Sequence, residues 1–324
     1  PRAVFAPAGW SHRGDRMQRS RHPAGGQGVS PVGFLERRAN LEGKVAAVIG
    51  GAKGIGAAVT TSLAAAGVDV AVCDVDGDAL DGTRREVEQL GRRVTAHVAD
   101  ALEPDQLAGF FQAIDRDFEH LDVLVNVVGG ARRRHFTKTT PDDWAGEIHR
   151  NFGWVIQAAS SAVERMRAGG RGGSIVSFTT IEAHRAAPMY AVYAGAKAGL
   201  TNFSRSLAVE LASEGIRVNT IAPDATPSAR LTAMLEEQER RAPGTMPPDL
   251  RARALEVYVP AGAPPSVDDL ADVVLFLASD LSRSITGTTL HADGGTWAAS
   301  GFLHWPGSHG WAPSPPPQLF AHDR

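Results

Sequence analysis

The sequence predicts an α/β fold, a single domain over residues 41–296 built on a doubly wound parallel sheet of about seven strands. Three observations carry this expectation. From Glu42 onward, short apolar runs alternate with helical patterns, as repeated strand–helix–strand units require. A glycine-rich turn, GGAKGIG at 50–56, stands where the first strand ends and the first helix begins. Asp74 closes the second strand, 24 residues after Gly50.

The elements follow in order. KVAAVIG (44–50) reads as a buried parallel strand, and 54–67 as a helix stopped by Gly67. VDVAVCD (68–74) is the second strand, 77–91 a polar-faced helix, and RVTAHVAD (93–100) the third strand. A helix begins after Glu103 with Pro104 in its first turn. LDVLVNVVG (121–129) is the fourth strand. Thr140-Pro141-Asp142-Asp143 caps a long helix expected to run unbroken past Asn151 to about Arg167. SIVSFT (174–179) is the fifth strand, and a helix carrying Tyr193 and Lys197 continues to about Ser213. IRVNTIAP (216–223) is the sixth strand, 266–280 an amphipathic helix, and TTLHADGG (288–295) the last strand. Residues 224–265, with seven prolines and charged helical patches, read as an irregular insertion over the substrate site.

Composition narrows the function classes. The chain has 324 residues, 43% of them apolar, enough for a sizeable core. Its 33 basic and 36 acidic side chains leave a net charge of −3, which offers no bulk attraction for nucleic acid or an anionic membrane. No apolar run reaches the roughly 18 residues of a membrane span. The lone cysteine, Cys73, cannot form an internal disulfide and fits a reducing, cytoplasmic setting. Residues 1–40, rich in Arg, Gly and Pro, read as a disordered leader. No His/Cys/Asp grouping has metal-ligand spacing, so no metal is expected.

At the glycine turn, Gly50, Gly54 and Gly56 permit a tight bend, and backbone N–H groups at Lys53, Gly54, Ile55 and Gly56 can approach a pyrophosphate at the helix N-terminus. Glycine alone is a weak signal, since many strand–helix turns use it. Asp74 strengthens it: a carboxylate there accepts from adenosine ribose hydroxyls and repels a 2′-phosphate. Lys53 pulls the other way, toward NADP. The charge at the ribose itself decides for NAD over NADP.

A tyrosine hydroxyl, with an ordinary pKa near 10, is a poor base at neutral pH. Lys197, one helical turn after Tyr193, can place an ammonium beside it and favour the phenolate. The chain has three tyrosines and four lysines (44, 53, 138 and 197), so a chance Tyr-x-x-x-Lys has a probability of roughly 0.04.

With these residues in view, the chain resembles the short-chain dehydrogenase/reductase family over residues 41–296. The family's glycine motif TGxxxGIG reads IGGAKGIG, with Ile49 for the threonine. Its NNAG reads NVVG at 126–129, keeping Asn126 and Gly129 with Val128 in place of alanine. The resemblance implies a Rossmann-type fold, with Asp100 at the adenine amino group and Asn151 holding a water of the proton relay. It makes Tyr193 and Lys197 the acid–base pair, with Lys197 also on the nicotinamide ribose. The implied reaction is hydride transfer between C4 of the nicotinamide and a carbinol or carbonyl carbon.

Two departures stand out. The family serine, thirteen residues before the tyrosine, falls on Thr180, whose methyl narrows the side chain's freedom and crowds the pocket. Ser177 and Thr179 lie nearby, but strand alternation puts Thr179 on the opposite side from Thr180. The family Pro-Gly after strand six, which touches the nicotinamide amide, reads Pro223-Asp224, and Ser228 stands at the nearby threonine position.

Around this site, Arg132-Arg133-Arg134-His135 follows strand four, where an acidic substrate group could be met, although such a run is commonly a solvated loop. His184 and Met189 lie between strand five and Tyr193, in the segment Glu182–Met189 expected to hold specificity. Leu231, Met234, Leu235, Met246 and Leu250 give the insertion an apolar lining. The tail, 297–324, carries Trp297, Phe302, Trp305 and Trp311, expected to dock on this chain or a neighbouring subunit. The expected enzyme is an NAD-dependent dehydrogenase of a secondary alcohol or ketone, apolar or cyclic (steroid, terpenoid or diol-like), assembled as a homodimer or homotetramer. The alternatives are an NADPH-linked 3-oxoacyl thioester reductase and, given Thr180 and Asp224, a non-catalytic NAD-binding sensor.

Overall fold

A computed structural model describes residues 33–224, 226–227, 240, 248–305 and 310–314. Seven strands form one parallel sheet: β1 (Val45–Ile49), β2 (Asp69–Asp74), β3 (Val94–Val98), β4 (Val123–Asn126), β5 (Gly173–Phe178), β6 (Ile216–Pro223) and β7 (Thr289–Ala292). Their order is β3-β2-β1-β4-β5-β6-β7. The order reverses between β1 and β4, where Ala46–Ile49 pairs with Val123–Asn126 in parallel register. A crevice opens there at the carboxyl ends of the strands, which is where ligands bind in such sheets.

Because both sheet faces are covered, the strands read as nearly continuous apolar runs. On one face Ala47 and Ile49 pack with Phe110 of α4 (Pro104–Asp117), Trp154 of α6 (Trp154–Gly169) and Leu200 of α7 (Ala191–Leu211). On the other, Ala46 and Val48 pack with Leu63 of α2 (Gly54–Ala65), Val87 of α3 (Gly77–Gln89) and Val274 of α9 (Val267–Ala278). Successive β1 residues thus feed opposite cores, as the period of a strand dictates. Gly67 ends α2 as expected, with φ +92°.

Three expectations need correction. Disorder through residue 40 does not hold for Phe34–Ala39, which form a short helix, α1. Glu36 in its first turn and Arg37 and Arg38 in its last complement the helix dipole, and the Asn40 amide bonds Asp280 at 2.8 Å. The insertion 224–265 contains a helix, α8 (Pro248–Tyr258); Ser228, Leu231, Met234, Leu235 and Met246 lie outside the described residues, as does the side chain of Leu250. The long helix expected from Thr140 to Arg167 is interrupted. After α5 (Pro141–Ile148), five residues, His149–Gly153, wind as a π-turn before α6. The Asn151 side chain draws the turn open by bonding outside the helix as well as to Glu147 O.

No helix among the described residues is long and apolar enough to cross a membrane. The expected tail aromatics dock in part on their own chain, where Trp297 stacks on His291 of β7 with ring centroids 4.2 Å apart.

Candidate active site

The glycine turn is as tight as its sequence demands. A Cβ on Gly56 would lie 1.8 Å from Gly50 O, so no side chain fits there. Gly50 and Gly51 N–H both donate to Cys73 O, at 2.8 and 3.1 Å, which ties the turn to β2. Lys53, the residue before α2, makes no side-chain cap. The first backbone N–H groups of that helix, at Gly54 and Ile55, therefore keep no side-chain acceptor, a fit for an anionic group. Ile55 itself packs into the core beneath.

Asp74 ends β2 beside this turn. Its carboxylate accepts from Ala52 N–H at 3.1 Å and Asp76 N–H at 3.2 Å, so its orientation is set before any ligand arrives. Lys53 does not point its charge freely outward: its ammonium is hydrogen-bonded to the Asp76 carboxylate. That partner raises the Lys53 pKa and lowers that of Asp76. Asp100, past the end of β3, accepts from Leu102 N–H at 2.9 Å.

Asn151 is fully buried. Its Oδ1 accepts from Gly130 N–H at 2.9 Å, while its Nδ2 donates to Gly130 O at 3.2 Å and Glu147 O at 3.0 Å. The π-turn is thereby bound to the chain leaving β4. Lys197 is 4% exposed and donates to Phe178 O at 2.7 Å. Burial pulls its ammonium down to about 8. The two side chains converge on Gly129, where a Cβ would lie 3.0 Å from Asn151 Oδ1 and 3.1 Å from Lys197 Nζ. At the same sheet edge, Asn126 Nδ2 donates to Ser177 Oγ at 3.0 Å, joining β4 to β5.

The hydroxyl cluster separates as strand alternation predicts. Ser177 is buried against Asn126. Thr179 turns into the core, its hydroxyl bonded to Lys197 O at 3.2 Å and Thr201 Oγ1 at 3.0 Å. Thr180 caps the short turn Ile181–Ala183, and its hydroxyl donates to Glu182.

Tyr193, in the first turn of α7, lines a cavity of about 150 Å3 with Met189, Tyr190, Phe136, Trp144 and Arg150. Phe136 and Trp144 stack there with centroids 5.5 Å apart and rings 11° from parallel. Of the basic run, Arg132 and Arg134 reach this cavity, and Arg134 is paired with Asp143 at 2.8 Å. Met189 holds φ +71°, costly for a side-chain-bearing residue, and its carbonyl accepts from Arg134 N–H at 3.0 Å. His184 lies elsewhere, edge-on to His291 with centroids 4.7 Å apart. Among the described residues no group of three or more His, Cys, Asp or Glu could hold a metal ion.

The family model for enoyl-(acyl carrier protein) reductase matches residues 50–296, the whole span that carries this geometry. The chain belongs to the short-chain dehydrogenase/reductase family. It is an NAD(P)-dependent oxidoreductase of that family. Its relatives include the 3-oxoacyl-(acyl-carrier-protein) reductase of Escherichia coli K12, 34% identical over 80% of this chain and 99% of that one. Among solved structures, the carveol dehydrogenase of Mycobacterium avium in complex with NAD superposes with a TM-score of 0.74, at 28% identity over 79% of this chain and 98% of that one. A 7α-hydroxysteroid dehydrogenase complexed with NADH and 7-oxo glycochenodeoxycholic acid gives a TM-score of 0.72, at 26% identity over 82% and 98%.

Within this short-chain dehydrogenase/reductase, one glycine and three polar residues escape sequence reasoning. Gly130 supplies the backbone that holds Asn151. Glu182, Arg185 and Tyr258 form a linked group: Arg185 Nη2 donates to Glu182 Oε1 at 2.9 Å and to the Tyr258 hydroxyl at 2.7 Å. Asp224, which follows Pro223 at the end of β6, acts on the same hydroxyl. Burial raises the Tyr258 phenol to about 12, with Arg185 opposing and Asp224 adding to the rise. Only the local spacing of Thr180 and Glu182 was a signal; the partnership with Tyr258 depends on where α8 (Pro248–Tyr258) folds back.

Proposed function

We propose that the chain interconverts a secondary alcohol and a ketone using NAD, on an apolar or cyclic substrate of the steroid, terpenoid or diol kind. The observation that carries the reading is the convergence of Asn151 and Lys197 on Gly129, with Tyr193, one turn before Lys197 on α7, lining a cavity. When bound, NAD supplies the hydride acceptor at its nicotinamide ring. Gly50, Lys53, Gly54, Ile55 and Gly56 receive the pyrophosphate through backbone groups. Asp74 holds the adenosine ribose, Asp100 the adenine, and Asn126, Gly129, Pro223 and Asp224 flank the nicotinamide end.

Tyr193 exchanges the proton of the substrate hydroxyl. Lys197 lowers the tyrosine pKa by its charge and binds the nicotinamide ribose. Asn151, with its amide already committed to Gly130 and Glu147, keeps a water relay in register. Thr180 positions the substrate oxygen. The stacked Phe136 and Trp144 in the cavity wall support an apolar or cyclic substrate.

The preference for NAD rests on charge. Asp74 and Asp76 both stand at the end of β2, and Lys53 is neutralised by Asp76. A 2′-phosphate would meet two carboxylates and one committed lysine. The relationship to the E. coli 3-oxoacyl reductase favours a second reading, an NADPH-linked reductase of acyl thioesters. The reading includes a homo-oligomer, dimer or tetramer, in the cytoplasm, where a buried free thiol such as Cys73 persists.

The test is a screen of steroids, terpenoid alcohols, cyclic diols and 3-oxoacyl thioesters, each with NAD(H) and NADP(H), followed by absorbance of the reduced cofactor. Turnover of a cyclic alcohol with NAD is expected. Turnover confined to acyl thioesters with NADPH would replace this reading with the second, and tight NAD binding without turnover of any compound would favour a sensor.

A further inference from the structure

A second charged hollow lies at the edge of the sheet opposite the glycine turn. The first residues of β5 and β6, the turn after α9 and the link between α1 and β1 enclose a cleft of about 570 Å3. Arg217 is the second residue of β6 and Pro223 its last. Six residues at about 3.3 Å each put the cleft about 20 Å from the carboxyl edge.

The lining carries four basic side chains, Lys44, Arg171, Arg217 and Arg283, against two carboxylates, Asp122 and Asp280. Both carboxylates are taken. Asp280 pairs with Lys44 at 3.1 Å and accepts from the Asn40 amide at 2.8 Å. Asp122 pairs with Arg171 at 3.2 Å and accepts from Val45 N–H at 2.8 Å. Among the described residues no carboxylate lies within 4.0 Å of Arg217 or Arg283. Two positive charges are thus left over, in a chain whose net charge is −3.

The fold holds these two arginines in one place. Arg217 is half-buried and donates to Ser282 Oγ at 2.8 Å and Ser279 O at 3.2 Å, in the turn that runs into Arg283. Those bonds use two of its N–H donors, and a guanidinium has others to give. Burial lowers its pKa, with Asp280 opposing. Ser284 and Thr286 line the same cleft, and Thr286 Oγ1 accepts from Val218 N–H at 3.0 Å, which leaves its own proton for another acceptor.

Like charges in one hollow repel, and burial strips them of hydration. An anion between them relieves both costs. A phosphoryl group has oxygens enough for guanidinium forks and hydroxyls together, and its charge of about −1.5 to −2 near neutral pH matches the excess.

We propose that this cleft binds a phosphate dianion, free or carried on a small organic molecule, with Arg217 and Arg283 as its principal cations. The site is separate from the glycine turn and does not depend on the alcohol–ketone reading.

Calorimetry of the full chain, with NADH in excess to fill the glycine turn, measures binding of glycerol phosphate, inorganic phosphate and acetate at one ionic strength. Both phosphates are expected to bind, and acetate at least about tenfold more weakly, because it brings a single charge. Tighter binding of the ester supports the site with an organic phosphate as ligand, and tighter binding of inorganic phosphate supports it with the free ion. Acetate binding as well as either phosphate, or no binding of either phosphate at millimolar concentration, overturns the proposal.

Arg283→Ser removes an exposed side chain and should leave the melting temperature unchanged, while phosphate binding weakens by about tenfold. Arg85→Ser takes an equal charge from the exposed face of α3 and should change binding by less than about twofold. Equal weakening in the two variants would reduce the effect to net charge and overturn the site, as would no weakening in Arg283→Ser. Ser284→Asp places a carboxylate where the ligand would sit and should abolish binding; retained binding overturns the proposal as well.

Discussion

Asn151 Oδ1 and Lys197 Nζ lie 3.0 and 3.1 Å from the point where a side chain on Gly129 would begin. The residues come from a π-turn and from α7, and the glycine between them is what lets them approach. Gly129→Ala should push the Lys197 ammonium aside, because Asn151 is buried and held by three hydrogen bonds within 3.2 Å. The expected result is a kcat lower by about tenfold or more, since small misplacements near the chemistry are costly. Steady-state kinetics beside a melting curve checks it: a large loss of melting temperature with kcat unchanged would contradict this account.

Tyr193→Phe removes one oxygen from the cavity wall and leaves the ring. Turnover should fall by about a hundredfold to ten-thousandfold, the usual worth of a positioned proton donor. NAD affinity, followed by calorimetry, should stay within about threefold, because a single exposed hydrogen bond is worth little more. Retained turnover would reject Tyr193 as the proton-exchanging group.

Asp74 and Asp76, to which the proposed preference for NAD is assigned, have different partners, the backbone of the glycine turn and Lys53. Asp74→Ser should lower kcat/KM with NAD by about tenfold, the scale of a lost charge-assisted hydrogen bond. Adding Asp76→Ala releases Lys53 and should raise kcat/KM with NADP. The ratio of the two specificity constants is the measurement, and an unchanged ratio would remove Asp74 from the ribose site.

Lys197 is a buried ammonium whose pKa falls from 10.5 to about 8 through loss of hydration. Between those values the unfolded chain binds more protons than the folded one, so stability rises with pH across that window. Below pH 8 the full penalty is present, about 3 kcal/mol by linkage. Lys197→Met removes it, so the protein without cofactor should be less penalised at pH 7 than wild type, and the difference should shrink toward pH 10. Urea unfolding at both pH values reads this directly. A difference independent of pH would mean that the ammonium is solvated.

Much of the fold was legible because parallel strands buried on both faces leave long apolar runs, as VAAVI and DVAVC do here. The Tyr193–Lys197 spacing and the glycine turn were legible for a similar reason, since each is local. The π-turn at Asn151 was not, because its sequence reads as an unbroken helix and the bonds that open it go to Gly130, twenty-one residues away. The short helix at Phe34–Ala39 was missed because composition spoke for disorder while its anchor, Asp280, lies at the far end of the chain.

The sequence by itself determined the strand–helix alternation, the glycine turn after β1, the acidic end of β2 and the spacing of the tyrosine and lysine. It also determined, through strand alternation, that Thr179 and Thr180 face opposite ways. Only the tertiary structure decided what those hydroxyls touch: Thr179 anchors α7 through Lys197 O, and Thr180 donates a hydrogen bond to the Glu182 carboxylate. Spacing along a chain fixes which face a side chain occupies. Its partner depends on which distant segment folds against that face, as Tyr258 of α8 does against Arg185.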